Sequence, residues 1–218
     1  AFFYRPVEEI GGDFYDFISI SKTKILFAIA DSAGHGIRAS LLTAMFKTAL
    51  FNYPDKTYQS IFSLMEHINN SLYGQISDKY VVALIGILDT ETKTVYMMGG
   101  GNISLYSFQA SKNQWEKIPM KGHMLGIIPT NLLQLAETKI TLHDGDKIFL
   151  TTDGMIEEYI RDASGHRKVF GDENLLKSLQ KHTHSSTLLQ DLIKDLQEFT
   201  QKSSFSDDLT AILFQSTL

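Results

Sequence analysis

Residues 24–36 read KILFAIADSAGHG. Lys24 to Ala30 are almost wholly apolar and rich in strand-forming side chains, and Asp31 ends the run. Small residues follow, and from Ile37 the apolar positions return at helical spacing. A strand that closes on a carboxylate beside small residues presents an acid where backbone and ligand can approach closely. The arrangement recurs in DGDKIFLTTDGMIEEY (144–159), an apolar strand ending in Asp153 and Gly154. FSDDLTAILF (205–214) sets Asp207 and Asp208 at the mouth of the last strand, and IGGDFYDF (10–17) sets Asp13 behind two glycines.

Working outward, strands are predicted at 1–5, 13–20, 24–30, 79–88, 92–98, 103–108, 114–118, 136–142, 146–152 and 208–216. Helices are predicted at 37–52, 58–74, 172–182 and 186–201, each with an apolar stripe to bury. DTETK at 89–93 and SKNQ at 111–114 read as hairpin turns, so the pairing is expected to be mainly antiparallel. Many strands with two helix pairs make an α+β sandwich, two stacked sheets with helices outside. The 218 residues, 43% hydrophobic and 21% charged, suit one domain over 1–218. AFFYRP at the start is strand-like and has no signal-type leader, which suggests a piece of a longer protein.

Composition removes several function classes. The longest apolar run, YVVALIGIL at 80–88, is far short of the roughly 18–20 residues of a membrane helix. Twenty basic and 25 acidic residues, unblocked and netting −5, disfavour a nucleic-acid partner. Without cysteine, a metal site must use oxygen or histidine. Singly, each Asp-Gly pair is ordinary turn chemistry. As a set, carboxylates from four segments suit hard cations such as Mg²⁺ or Mn²⁺. In IGGDFYDF the period of two puts Asp13, Tyr15 and Phe17 on one face and Phe14 and Asp16 on the other, so both acids cannot reach one ion.

GGDFYD, ADSAGHG, DGDKIFLTTDG, FG at 170–171 and SDDLT occur in an order and at distances that resemble the bacterial SpoIIE/RsbU-type serine phosphatases. These are a branch of the metal-dependent protein phosphatase 2C (PPM) superfamily, and the resemblance spans essentially the whole chain. It implies a four-layer αββα sandwich and a centre of two Mn²⁺ or Mg²⁺ ions. It also implies hydrolysis of phosphoserine or phosphothreonine on a protein by a metal-activated water. Carried over, the metal-binding acids fall on Asp13, Asp31, Asp153 and Asp207, with the Ser32 carbonyl as a further ligand. Asp208 falls just outside the ligand set. His35 is a candidate for an outer contact or, less simply, for protonating the leaving serine. The implied partners are a phosphorylated anti-sigma-factor antagonist-like protein and an upstream sensor domain, in the cytoplasm, with no membrane contact by this domain; a homodimer is compatible.

The chain departs from the pattern in two places. Arg5 lies too far upstream to serve as the superfamily's phosphate-holding arginine, and Gly101 stands in GGGN where relatives often carry histidine. Two other readings stay open: a binding module of the same fold with weak or no catalysis, and another two-metal hydrolase such as a nuclease. Glu157 and Glu158 follow Asp153 closely and read as a solvated acidic face, the alternative being that one of them reaches an outer-shell water; Phe2, Phe3, Tyr4, Phe14, Tyr15 and Phe17 read as core and sheet-face residues, and the remaining histidines show no ligand spacing.

Overall fold

A computed structural model describes residues 1–34, 36–75 and 79–217. One five-stranded sheet has the order β1 (Phe2–Arg5), β12 (Leu209–Gln215), β9 (Lys147–Thr151), β6 (Ser104–Gln109), β7 (Gln114–Ile118). The other has the order β2 (Asp13–Ser19), β3 (Lys24–Ser32), β4 (Val81–Asp89), β5 (Thr94–Gly100), β8 (Thr138–Thr141). Every pair in both sheets is antiparallel. The expected hairpin turns join β4 to β5 and β6 to β7, with Lys93 and Asn113 at positive φ.

Strand alternation divides the interior into three apolar layers. Phe27 and Ile29 of β3 pack with Leu84 of β4, Leu105 of β6 and Leu150 of β9 between the sheets. The opposite face of β3, Leu26, Ala28 and Ala30, meets α1 (Gly36–Phe51) and α2 (Ile61–Leu72) through Phe46, Leu64 and Ile68. Phe149 and Ala211 on the outer face of the other sheet meet α4 (Gly171–Lys181) and α5 (Leu188–Thr200) through Leu175, Leu179, Leu192 and Leu196. The layers therefore run helix, sheet, sheet, helix. Each fully buried leucine or isoleucine in them contributes about 2 kcal/mol through the hydrophobic effect.

Three local readings change. α2 starts at Ile61 rather than 58, because Tyr58 is at positive φ and Ser60 caps the helix, its hydroxyl accepting from Ser63 N. A four-residue helix, α3 (Gly154–Glu157), and a two-stranded hairpin of β10 (Tyr159–Arg161) and β11 (Arg167–Val169) fill a stretch for which no strand or helix is predicted from the sequence. The aromatics of the two edge strands are not all core: Phe2, Tyr4 and Phe17 are exposed and stack with Tyr15 along the open side of the sandwich.

Candidate functional site

In antiparallel sheets the end of one strand lies beside the start of its neighbour, and here that brings the acids together. Asp13, at the start of β2, and Asp31, near the end of β3, are direct cross-strand partners. Like charges in this relation destabilise a sheet. In the other sheet β9 runs out through Thr152 into Asp153, while Asp207 and Asp208 lead into β12. Asp31, Asp153, Asp207 and Asp208 line one cleft of about 470 Å³ together with Glu8, Tyr80, Val82, Asn102 and Ser206. Asp13 is buried behind it, with 5% of its surface exposed.

Four of the five acids are held by hydrogen bonds from the protein. Asp13 Oδ2 accepts from Thr152 Oγ1 at 2.8 Å and Thr210 Oγ1 at 2.6 Å. Asp153 precedes α3, and its Oδ2 accepts from Asn102 Nδ2 at 2.8 Å. Asp207 Oδ1 accepts from Asp208 N at 2.8 Å. Asp208 grips the glycine turn: its Oδ2 accepts from Gly12 N at 2.6 Å and its Oδ1 from Val7 N at 2.8 Å. From the other side, Ser40 and Thr43 of α1 donate to the carbonyls of Gly11, at 3.1 Å, and Gly12, at 2.6 Å. The turn that aims Asp13 is thus fixed between Asp208 and α1.

Desolvation is the first cause of the site's unusual electrostatics. It pushes the Asp13 carboxyl up to about 7 against the lowering effect of the two threonine hydroxyls, with the charges of Asp208 and Asp153 adding to the rise. Asp31 is pushed up to about 8 by burial and then by Asp13, Asp153, Asp207 and Asp208. Asp207 is raised as well, first by partial desolvation.

The donor set is all oxygen, which fits a hard cation. A divalent ion would also offset the burial and the neighbouring carboxylate charges that raise these acids. Among the described residues no three acids or histidines are grouped tightly enough to enclose an ion. Ser32 ends β3 with its side chain turned away to Thr43, the two hydroxyl oxygens 2.8 Å apart, while its carbonyl oxygen lies 3.1 Å from where a Cβ on Gly12 would stand. His35 lies outside the described residues.

A family model for stage II sporulation protein E (SpoIIE) matches residues 21–217. The chain belongs to the SpoIIE family. Its fold is also that of the SiaA-PP2C domain of Pseudomonas aeruginosa, with a TM-score of 0.81 and 18% identity over 99% of this chain and 84% of that one. A SpoIIE structure from Bacillus subtilis, comprising the PP2C phosphatase domain and a fragment of the regulatory domain, gives 0.78 and 17% over 97% of this chain and 61% of that one. RsbX in complex with magnesium gives 0.66 and 19% over 97% and 92%. A comparison with curated protein sequences gave no match.

The site includes residues the sequence did not flag. Thr152, Thr210 and Asn102 orient the acids, and only their adjacency to the aspartate motifs hinted at them. Gly101, by contrast, has φ +81°, and a Cβ there would sit 2.7 Å from both methyl carbons of Val82, so no side chain at 101 fits without a shift. In GGGN the residue that reaches the site is Asn102. Glu158 corrects the reading of a solvated acidic face: it is 1% exposed. Glu157 is exposed, with Arg167 Nη2 donating to its carbonyl at 2.9 Å.

Proposed function

We propose that this chain is a metal-dependent protein serine/threonine phosphatase, acting on a phosphoserine or phosphothreonine of a regulatory protein of the anti-sigma-factor antagonist kind. The observation that carries the reading is the gathering of Asp31, Asp153 and Asp207 at one cleft with Asp13 buried behind it, in direct cross-strand register with Asp31. When bound, Mg²⁺ or Mn²⁺ ions supply the Lewis acidity that activates water and neutralises phosphoryl oxygen.

The chain's own residues do the positioning. Asp13, Asp31, Asp153 and Asp207 would hold the cations, with the Ser32 carbonyl as a further donor and Asp208 acting through the glycine turn. Thr152 and Thr210 fix Asp13, and Asn102 fixes Asp153. No lysine or arginine lines the cleft among the described residues. A phosphate dianion would therefore meet carboxylates of its own sign, a repulsion that bound cations would offset. Lys79 reaches the rim, its Nζ 3.3 Å from where a Cβ on Gly34 would stand.

The grip of α1 on Gly11 and Gly12 suggests how an upstream domain could act, since any shift of this helix moves the turn behind Asp13. The domain spans 1–218 and works in the cytoplasm in this reading; no helix among the described residues is long and apolar enough to cross a membrane. The test is phosphate release from an aryl phosphate and from a phosphoserine protein, after stripping with a chelator and again after adding Mn²⁺ or Mg²⁺. Turnover is expected only with metal. Full activity in a metal-free preparation would sink the mechanism, and metal binding without turnover would favour the binding-module reading.

A further inference from the structure

Glu158 follows the last residue of α3, the short helix that begins just after Asp153. Its carboxyl group is buried and turned toward the loop that precedes β12. There Oε1 accepts from both donors of one residue, Ser206 N and, at 2.9 Å, Ser206 Oγ. Oε2 is buried with no hydrogen-bond partner among the described residues. No ion pair to Glu158 is formed among them either. A leucine would fill this space without leaving a buried oxygen unpartnered, so the acid is kept at a local cost. Such costs gather at functional positions.

What Glu158 joins gives the cost a purpose. Asp153 lies five residues before it in sequence, and Asp207 lies one residue after Ser206. The loop leading to Asp207 has no regular structure and leaves α5 through Gln201 at φ 56°. The two segments already touch through backbone, since a Cβ on Gly154 would lie 1.9 Å from Asp208 O. That contact brings them together but does not orient the peptide before Asp207. The pair of bonds from Ser206 to one carboxylate oxygen does.

We propose that Glu158 is a positioning residue that fixes Asp207 relative to Asp153, so that the two acids face a cation at the spacing it needs. The inference rests on the metal-site reading above and deepens it. Glu158 touches neither substrate nor ion; it acts through Ser206. Partners standing just behind metal ligands commonly change metal affinity by about 10–100-fold when removed.

The test is calorimetric Mn²⁺ binding to chelator-stripped wild type, Glu158→Leu, Glu158→Gln and Ser206→Ala, with circular dichroism and melting temperature recorded for each. Glu158→Leu should bind Mn²⁺ about tenfold or more weakly while remaining folded. Glu158→Gln keeps an acceptor oxygen for Ser206 and should bind nearly as tightly as wild type. Ser206→Ala loses one of the two bonds and should fall between. Wild-type affinity in folded Glu158→Leu would overturn the inference. If Glu158→Leu does not fold, unchanged affinity in Ser206→Ala overturns it instead. A purely structural Glu158 would lower the melting temperature and leave affinity alone. Absence of Mn²⁺ binding by the wild type would overturn the metal-site reading itself, and this inference with it.

Discussion

Two groups of aspartates in this protein experience opposite surroundings. On the α4–α5 flank, Asp195 accepts from Ser178 Oγ at 2.5 Å, Lys181 Nζ at 2.9 Å and His182 Nε2 at 3.0 Å. Asp172 accepts from Tyr106 OH and, at 2.7 Å, from Lys117 Nζ. Desolvation works against both carboxyls, yet these donors hold them below the ordinary range. In the cleft, Asp13 and Asp31 face other carboxylates and are pushed up to about 7 and about 8, first by burial. The flank acids are neutralised by the chain itself and serve the packing of helices. The cleft acids lack that neutralisation, and the charge they call for must come from outside the chain.

The largest expected effect lies within one strand. Asp13 faces the cleft side, whereas Asp16 faces α1, its Oδ2 3.9 Å from Lys47 Nζ. Asp13→Asn should lower kcat by about 100-fold or more, and Asp16→Asn far less. The check is kcat at saturating Mn²⁺ for both folded variants; equal losses would break the distinction between the two faces.

Next comes the pH dependence, which should have opposite signs in the two groups. Asp13 and Asp31 titrate in the folded state well above the 3.8 of an ordinary aspartate. Between about 4 and about 8 the native state therefore binds protons that the unfolded chain has released, so these acids make the metal-free protein less stable as pH rises. The flank acids are lowered, so their contribution is present above the unfolded value and is lost as pH falls below it. Denaturant titrations of metal-free protein should show stability declining from pH 5 to pH 8, with the gain from added Mg²⁺ largest at pH 8. A metal-independent rise in stability across that range would contradict the assignment.

A smaller effect sharpens the same comparison. Asp195→Asn should cost about 1–2 kcal/mol, since it weakens hydrogen bonds that are charge-assisted. It should leave metal affinity and kcat unchanged. A loss of metal affinity comparable to that of Asp13→Asn would mean that the flank is not independent of the cleft.

The fold was readable in the sequence wherever burial imposes a period. Residues 114–118 were predicted without error, and 13–20 and 24–30 fall within two residues of Asp13–Ser19 and Lys24–Ser32. The β10–β11 hairpin escaped because Arg167, Lys168 and Val169 are all exposed, so no alternation marks the strand. α3 escaped because one turn is too short to show a helical period. In the site, acids at strand ends announce themselves beside glycine. Thr152, Thr210, Asn102 and Glu158 do not, because their partners lie 139, 197, 51 and 48 residues away. Only the tertiary fold brings them together.

The most direct test of the account is a carbon-13 NMR titration of the aspartate carboxyls in metal-free protein, repeated with saturating Mg²⁺, which is diamagnetic. The account predicts that Asp13 and Asp31 titrate near neutral pH without metal while Asp195 titrates below the ordinary range, and that Mg²⁺ keeps the cleft carboxyls ionised at pH 6 without moving Asp195. Cleft carboxyls already fully ionised at pH 5 without metal, or a titration that Mg²⁺ leaves unchanged, would contradict it.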